Sequence, residues 1–301
     1  MRAAGGGTAL RELLAAATRR LAAADVPSPR VDAEELAAFA LGVRRSELVA
    51  QPDPNAADAA AYEALIERRA SREPLQHITG VAHFRHVSLR VGPGVFIPRP
   101  ETEVVAGFAI EAAQKIAASG ATPTVVDLYA GSGAIAIAVA DEVPNAIVHA
   151  VEGDAHAADW LKRNVADHTD GRLRAYHADV GQCMDGALRE LAGTVDVVVA
   201  NPPYIPDGAT IRDPEVAERD PAPALWSGDD GLNAMRVLER TAARLLRHDC
   251  PVVAEHADLQ GESAPAVFAT TGRWADVEDH RDLTGRPRYV TATLTHHDPV
   301  R

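Results

Sequence analysis

The sequence predicts an α/β protein with a mostly parallel sheet covered by helices on both faces, preceded by a small bundle of helices. Three observations predict it. From Glu101 onward short apolar runs alternate with helical patterns, as they do where a parallel sheet is buried on both sides. Before Pro74 only helical spacing occurs, in an Ala-rich stretch that suits helices. Between the two lies a segment punctuated by proline and glycine that fits neither pattern. The chain therefore divides into a helical domain over 1–74, a hairpin and linker over 75–100, and a larger domain over 101–301.

Leu10, Leu13, Leu14, Ala17 and Leu21 recur at helical spacing, with Thr8 placed to cap. A second helix is expected over 28–41, with Pro29 at its first position and Gly42 ending it. A short helical turn over 46–50 and a helix over 55–71, burying Tyr62, Leu65, Ile66 and the stem of Arg69, complete the bundle. After Pro74 the period becomes two over 76–91. Val87, Leu89 and Val91 alternate with His86, Ser88 and Arg90, a strand or hairpin. Gly92-Pro93-Gly94 turns the chain, and Val95-Phe96-Ile97-Pro98-Arg99-Pro100 is too proline-rich for a helix or a central strand. Helices are then expected over 101–118, 134–141, 155–167, 184–191, 231–246 and 259–270. Strands are expected over 125–128, 147–151, 173–177, 195–200 and 252–255, with closing strands at 274–278 and 289–294.

Composition narrows the function. The 301 residues are 47% hydrophobic and 24% charged, ordinary for a globular chain, and carry a net charge of −13. Such a surface repels phosphate backbones, so direct nucleic-acid binding is not expected. No apolar stretch is long enough to span a membrane, and Met1–Thr8 lacks a signal-peptide core and reads as a frayed terminus. Cys183 and Cys250 read as reduced, buried thiols, and a cytoplasmic location is expected. No metal site is expected. His83 and His86 are placed on opposite faces of a strand, and His296-His297-Asp298 on a solvated tail.

Two loops carry chemistry. Asn201-Pro202-Pro203-Tyr204 directly follows the apolar run 195–200, and its prolines stop the sheet ladder. Asn201 and Tyr204 are thus presented at the carboxyl end of a strand, where open α/β sheets bind ligands. An Asn amide beside the carbonyls of a Pro-Pro pair can accept from an –NH2 group while the Tyr ring covers a flat one. A plain strand-ending turn is the alternative. Upstream, Asp127-Leu128-Tyr129-Ala130-Gly131-Ser132-Gly133 joins a strand to a helix as a nucleoside-binding loop does, although a mere tight turn would look similar. Glu152 ends the next strand, about where an acid meets ribose hydroxyls; Asp154 competes for that role but is better placed to cap the helix at Ala155. Asp179, after the third strand, could accept from an adenine amine or simply cap. Together the loops imply methyl transfer to a planar nitrogen.

At this point the sequence resembles the HemK/PrmC family, methyltransferases that modify the glutamine of the Gly-Gly-Gln motif in class 1 peptide chain release factors. The similarity runs from about Glu73 to Leu294 through Glu73-Pro74-Leu75-Gln76-His77-Ile78-Thr79-Gly80, Phe96-Ile97-Pro98-Arg99-Pro100-Glu101-Thr102-Glu103, Asp127–Ala134, Asn201–Tyr204 and Ser227-Gly228-Asp229-Asp230-Gly231-Leu232. The resemblance implies a class I S-adenosylmethionine-dependent methyltransferase fold over 101–301, with a seven-stranded sheet, and release factors as protein partners. Tyr129, Ala130, Gly131, Ser132 and Gly133 would line the methionine part of the cofactor, Glu152 its ribose, and Asp179 with Val180 its adenine. Asn201 would border the cofactor, and Asn201, Pro202, Pro203 and Tyr204 would hold the glutamine amide, with Asn201, Pro202 and Tyr204 serving catalysis. Tyr129 replaces the first glycine of the family's loop, so its backbone is expected to avoid glycine-only angles. Two other classes remain: a methyltransferase for the exocyclic amine of adenine in DNA or RNA, and a non-catalytic protein that binds S-adenosylmethionine.

Overall fold

The computed structural model describes residues 9–169 and 171–296. The expected cap Thr8, the rest of the start, and His297 and Asp298 lie outside the described residues. In chain order the first helices are α1 Leu10–Ala23, α2 Pro29–Leu41, α3 Ala56–Ala70, α4 Leu75–Thr79 and α5 Thr102–Ala118. Then come α6 Ala134–Glu142, α7 Ala155–His168, α8 Pro214–Arg219, α9 Asn233–Leu245 and α10 Ser263–Ala269. The strands are β1 Val81–Phe84, β2 Val87–Arg90, β3 Thr124–Leu128, β4 Ile147–Glu152, β5 Leu173–His177, β6 Val197–Ala200, β7 Pro251–Glu255, β8 Trp274–Arg281 and β9 Pro287–Leu294.

The chain folds into two units. One runs up to Val81 and takes in Ile211–Arg219; the other holds Ala82–Thr210 and the chain from Asp220 onward. The first is a helical bundle. Leu21, Leu36, Ile66 and Ile78 bury together with Tyr62, whose hydroxyl donates to the Ala33 carbonyl at 3.1 Å. Asn55 caps α3 by accepting from the Ala57 and Asp58 N–H groups, and Gly42, at φ 64°, closes α2. Arg69 is buried head and stem. Its guanidinium bonds Asp32 at 2.7 Å and Glu215 of α8 at 2.9 Å, so a charge that could not be buried alone is paired.

The second unit is built on a seven-stranded sheet of order β5-β4-β3-β6-β7-β9-β8. It is parallel from β5 to β7, and β9 runs antiparallel to both neighbours. The apolar runs resolve into two faces with period two. Val125, Val197, Val199 and Val253 pack on one side against Val105, Ile110, Ile137 and Leu161 of α5, α6 and α7. Val126, Leu128, Val198, Ala200 and Val252 pack on the other against Met235, Leu238 and Leu245 of α9 and Phe268 of α10. Strands buried on both faces need apolar residues at every position, which is why these runs show no alternation in the sequence.

The structure departs from the expected elements where local context outweighs pattern. Residues 75–79 are helical, with Gly80 in the left-handed region after them, so the hairpin is confined to β1 and β2. His83 lies on β1 and His86 in the turn beyond Arg85, so the two do not share a strand. The expected helix over 184–191 is two 3₁₀ turns, Cys183–Asp185 and Arg189–Leu191, with Gly186 between them. Over 259–270 a 3₁₀ turn, Asp258–Gln260, precedes α10. Val195 makes only an isolated bridge to Leu246, and β6 starts at Val197. Cys183 is buried, its thiol pushed up to about 11 chiefly by burial, whereas Cys250 is half-buried; both are free. No helix among the described residues is long and apolar enough to cross a membrane.

Candidate active site

Three adjacent strands deliver the predicted residues to one edge of the sheet. Leu128 at the end of β3 is in register with Val151 of β4 and Ala200 of β6. The loop 129–133, Glu152 and Asn201 therefore leave the sheet side by side.

The loop is held by its neighbours. The Ala130 N–H donates to the Val151 carbonyl at 3.0 Å, and the Gly133 N–H to the Ala130 carbonyl at 2.8 Å. Ser132 is buried, and its carbonyl accepts from the Asn164 amide at 2.9 Å; the same Asn164 bonds the Arg90 backbone at both N–H and carbonyl. Tyr129 takes φ 63°, contrary to the expectation that it would avoid glycine-only angles. A left-handed residue other than glycine costs about 1–2 kcal/mol. The cost is offset here because the ring packs into the core beneath the sheet and its hydroxyl reaches the Ala234 carbonyl at 3.3 Å. Gly133 sits at φ 88°, and a Cβ there would meet Leu161 Cδ1 at 2.7 Å and Ile137 Cδ1 at 3.2 Å. Its smallness therefore serves the packing of α6 on α7, a role the sequence did not suggest. At Gly131 an added Cβ would meet nothing within 4 Å, and the backbone there is open.

Glu152 closes this side. Its Oε2 accepts from the Gly131 N–H at 2.8 Å and its Oε1 from the Asp154 N–H at 2.7 Å. Burial raises its pKa, and these N–H bonds oppose the rise. Asp154 caps α7, accepting from the His156 and Ala157 N–H groups at 2.9 and 3.0 Å, the role for which the sequence placed it better. Asp179 is exposed beyond β5, while Val180 is buried with its carbonyl taken by Thr241 at 3.2 Å. Beneath the loop the fully buried Asp127 accepts from the Ala136 N–H at 3.0 Å, and burial pushes its pKa up to about 8.

At the end of β6, the Asn201 side-chain nitrogen donates to the Thr102 hydroxyl at 3.3 Å. That contact turns the amide so that its oxygen is left to accept. Pro202 is buried and Pro203 half-buried. Tyr204 is tied down by its hydroxyl, 3.5 Å from Glu255 Oε1, and by its carbonyl, which accepts from Gln260 at 3.1 Å. The Ser227–Leu232 segment clamps the loop from outside. The Ser227 N–H donates to the Ile205 carbonyl at 2.9 Å, and the Ile205 N–H to Leu225 at 2.8 Å. Gly231, at φ 73°, lies so close that a Cβ would meet the Tyr204 carbonyl at 2.4 Å. Just before α5, Arg99 bonds the buried Asp220 at 2.8 Å, and in the first turn of α5 Glu103 accepts from the Arg85 N–H at 3.0 Å.

Sequence reasoning missed Thr102, Asn164, Glu255 and Gln260. Glu255 was the most visible of them, a carboxylate ending the apolar run of β7 on the same sheet edge. It is buried, and desolvation raises its pKa to about 7.

Comparison with known proteins agrees with this geometry. The PrmC N-terminal domain family matches residues 12–80, and the methyltransferase small domain family matches residues 105–219. The release factor glutamine methyltransferase of Streptomyces coelicolor is 51% identical over 281 residues, covering 93% of this chain and 96% of its own. The chain belongs to the release factor glutamine methyltransferase family. Its fold is that of the class I methyltransferases. A second member, from Mycolicibacterium smegmatis, is 46% identical and covers 95% of this chain and 98% of its own. A 4-amino-L-phenylalanine/4-methylamino-L-phenylalanine methyltransferase of Streptomyces pristinaespiralis is 41% identical, covering 88% and 89%.

Proposed function

We propose that this protein transfers a methyl group from S-adenosylmethionine to the side-chain amide nitrogen of the glutamine in the Gly-Gly-Gln motif of class 1 release factors. The observation that carries the reading is the Asn201 amide, fixed by Thr102 with its oxygen left to accept, beside a glycine loop on the adjacent strand. Family membership supports the substrate class.

The residues fit the cofactor. Gly131 leaves the backbone open, and Glu152 spends one lone pair of each oxygen on a backbone N–H, which leaves further acceptor sites for two ribose hydroxyls. Tyr129 to Gly133 would hold the methionine side, Glu152 the ribose, and Asp179 with Val180 the adenine. When bound, S-adenosylmethionine supplies an electrophilic sulfonium methyl.

The protein's own task is to align a poor nucleophile. An amide nitrogen shares its lone pair with its carbonyl, and accepting both its protons at Asn201 Oδ1 and the Pro202 carbonyl fixes its plane and raises its electron density. As the methyl leaves sulfur for the nitrogen, positive charge builds on the nitrogen and the same dipoles stabilise it until it gives up one proton to water. Tyr204 packs on the amide face. We assign recognition of the factor to the helical domain, residues 1–74, the hairpin and linker to 75–100, and chemistry to 101–301. A cytoplasmic location follows from a substrate that works in translation.

Incubation with labelled S-adenosylmethionine and a purified release factor, followed by peptide mass mapping, tests the reading. A single methyl on the Gly-Gly-Gln glutamine is expected. Label on adenine in nucleic acid, or on free 4-amino-phenylalanine with the factor unmodified, overturns the substrate class.

A further inference from the structure

Three polar side chains around the start of α5 are spent inside the protein. Arg99 bonds Asp220, Thr102 reaches Asn201, and Glu103 holds the Arg85 N–H. Glu101, between them, is not: among the described residues its half-buried carboxylate has no hydrogen bond and no ion pair. It lines a recess of about 290 Å³, with Pro100 and Val104 beside it and Leu283, Arg286 and Arg288 of the β8–β9 hairpin opposite.

The recess abuts the Asn201–Tyr204 loop at both ends. Glu101 directly precedes Thr102, whose hydroxyl lies 3.3 Å from the Asn201 amide. Across the recess, the Arg288 carbonyl accepts from the His256 N–H at 2.9 Å. The residue before His256 is Glu255, whose Oε1 is 3.5 Å from the Tyr204 hydroxyl. The hairpin wall is tied to itself. Asp282 accepts from the Thr284 N–H and hydroxyl at 2.8 and 2.6 Å, and from the Arg286 N–H and the Arg288 guanidinium at 3.2 Å. Asp282 and Arg288 thus neutralise each other, and the recess keeps one uncommitted charge of each sign, the Glu101 carboxylate and the exposed Arg286 guanidinium. Leu283 stands 94% exposed at the tip of the hairpin.

A carboxylate that accepts and a guanidinium that donates, beside apolar walls, match the N–H and C=O of a polypeptide main chain. The proposed substrate calls for such a site. Its glutamine follows two glycines, which present no side chain, so a site that reads them must read their main chain. Lacking Cβ atoms, they can also approach an apolar wall closely.

We propose that this recess seats the main chain of the two glycines before the reacting glutamine, Glu101 accepting a glycine N–H and Arg286 donating to a glycine carbonyl, with Leu283 covering them. The inference rests on the release-factor reading above and adds a specificity site to it. Every glutamine offers the same amide to Asn201, so the choice of one glutamine comes from its flank.

The test uses full-length enzyme and a purified release factor, unaltered or with each glycine of the motif replaced in turn by proline, which removes the N–H. Glu101→Ala should raise KM for the unaltered factor about tenfold or more, as for one lost charge-assisted hydrogen bond. The single-turnover rate at saturating factor should stay within about threefold, and S-adenosylmethionine affinity within about twofold. Arg286→Ala should act in the same direction, more weakly because its guanidinium is exposed. At the glycine whose N–H Glu101 takes, proline should lower kcat/KM about tenfold or more with wild-type enzyme and little further with Glu101→Ala. Strain that proline adds to the factor falls on both enzymes alike and cancels in the comparison. An unchanged KM in Glu101→Ala, or proline penalties equal in both enzymes at both glycines, overturns the seat while leaving the release-factor reading intact. Wild-type enzyme that leaves the motif glutamine unmodified refutes that reading itself, and the seat with it.

Discussion

Glu152 does two things with one carboxylate. It pins the loop by accepting from Gly131 and Asp154, and it keeps acceptor capacity for a bound diol. Glu152→Ala removes both, leaving two backbone N–H groups and two ligand hydroxyls without their acceptor. Calorimetry should show S-adenosylmethionine affinity weakened by about 1–3 kcal/mol. Unchanged affinity would take Glu152 out of the site. The residue was legible in the sequence because its place, ending the strand after the glycine loop, is set by topology. Its partner Gly131 was legible for the same reason. Thr102 and Asn164 were not. Each is a polar residue in a helical pattern, and what gives it a role is a contact with chain far away, Asn201 for one and the Ser132 and Arg90 backbone for the other.

Elements were legible where the apolar run was long and its neighbours agreed. β3, buried on both faces, could be read to within one residue, and β6 to the residue at its carboxyl end, because a strand between two helical layers has no solvent side to interrupt it. The failures share a cause. The segments 75–79 and 184–191 are a turn or two long, and a run that short carries too few repeats for its period to decide between helix, 3₁₀ turn and strand. α8 went unread because its sequence is polar and none of its residues is buried; its place depends on Glu215 meeting Arg69 and Arg72. At this scale the structure also changes an expectation. Gly133 lies where α6 packs on α7, so Gly133→Val forces a branched side chain into φ 88° and against Leu161. Strain of about 1–2 kcal/mol and overpacking of about 1–3 kcal/mol should appear as a lower urea midpoint. If the variant is as stable as wild type but fails to bind S-adenosylmethionine, the glycine serves ligand approach after all.

Across the whole molecule, the parallel sheet accounts for the site. Strands β3, β4 and β6 end together, and residues far apart in the chain, from Gly131 to Glu152 to Asn201 to Glu255, meet at that edge through register alone. The net charge of −13 fits a protein partner better than a nucleic-acid one. The central claim is that the acceptor oxygen of Asn201 makes the transfer possible, and the most direct measurement is single-turnover methylation of a release-factor glutamine by Asn201→Ala. The substitution keeps the Pro-Pro turn and the loop's clamp. Loss of one preorganised dipole that acts in the transition state typically costs about 100- to 1000-fold in rate. The rate should collapse by that order while S-adenosylmethionine affinity shifts little; methylation at near the wild-type rate would contradict the account.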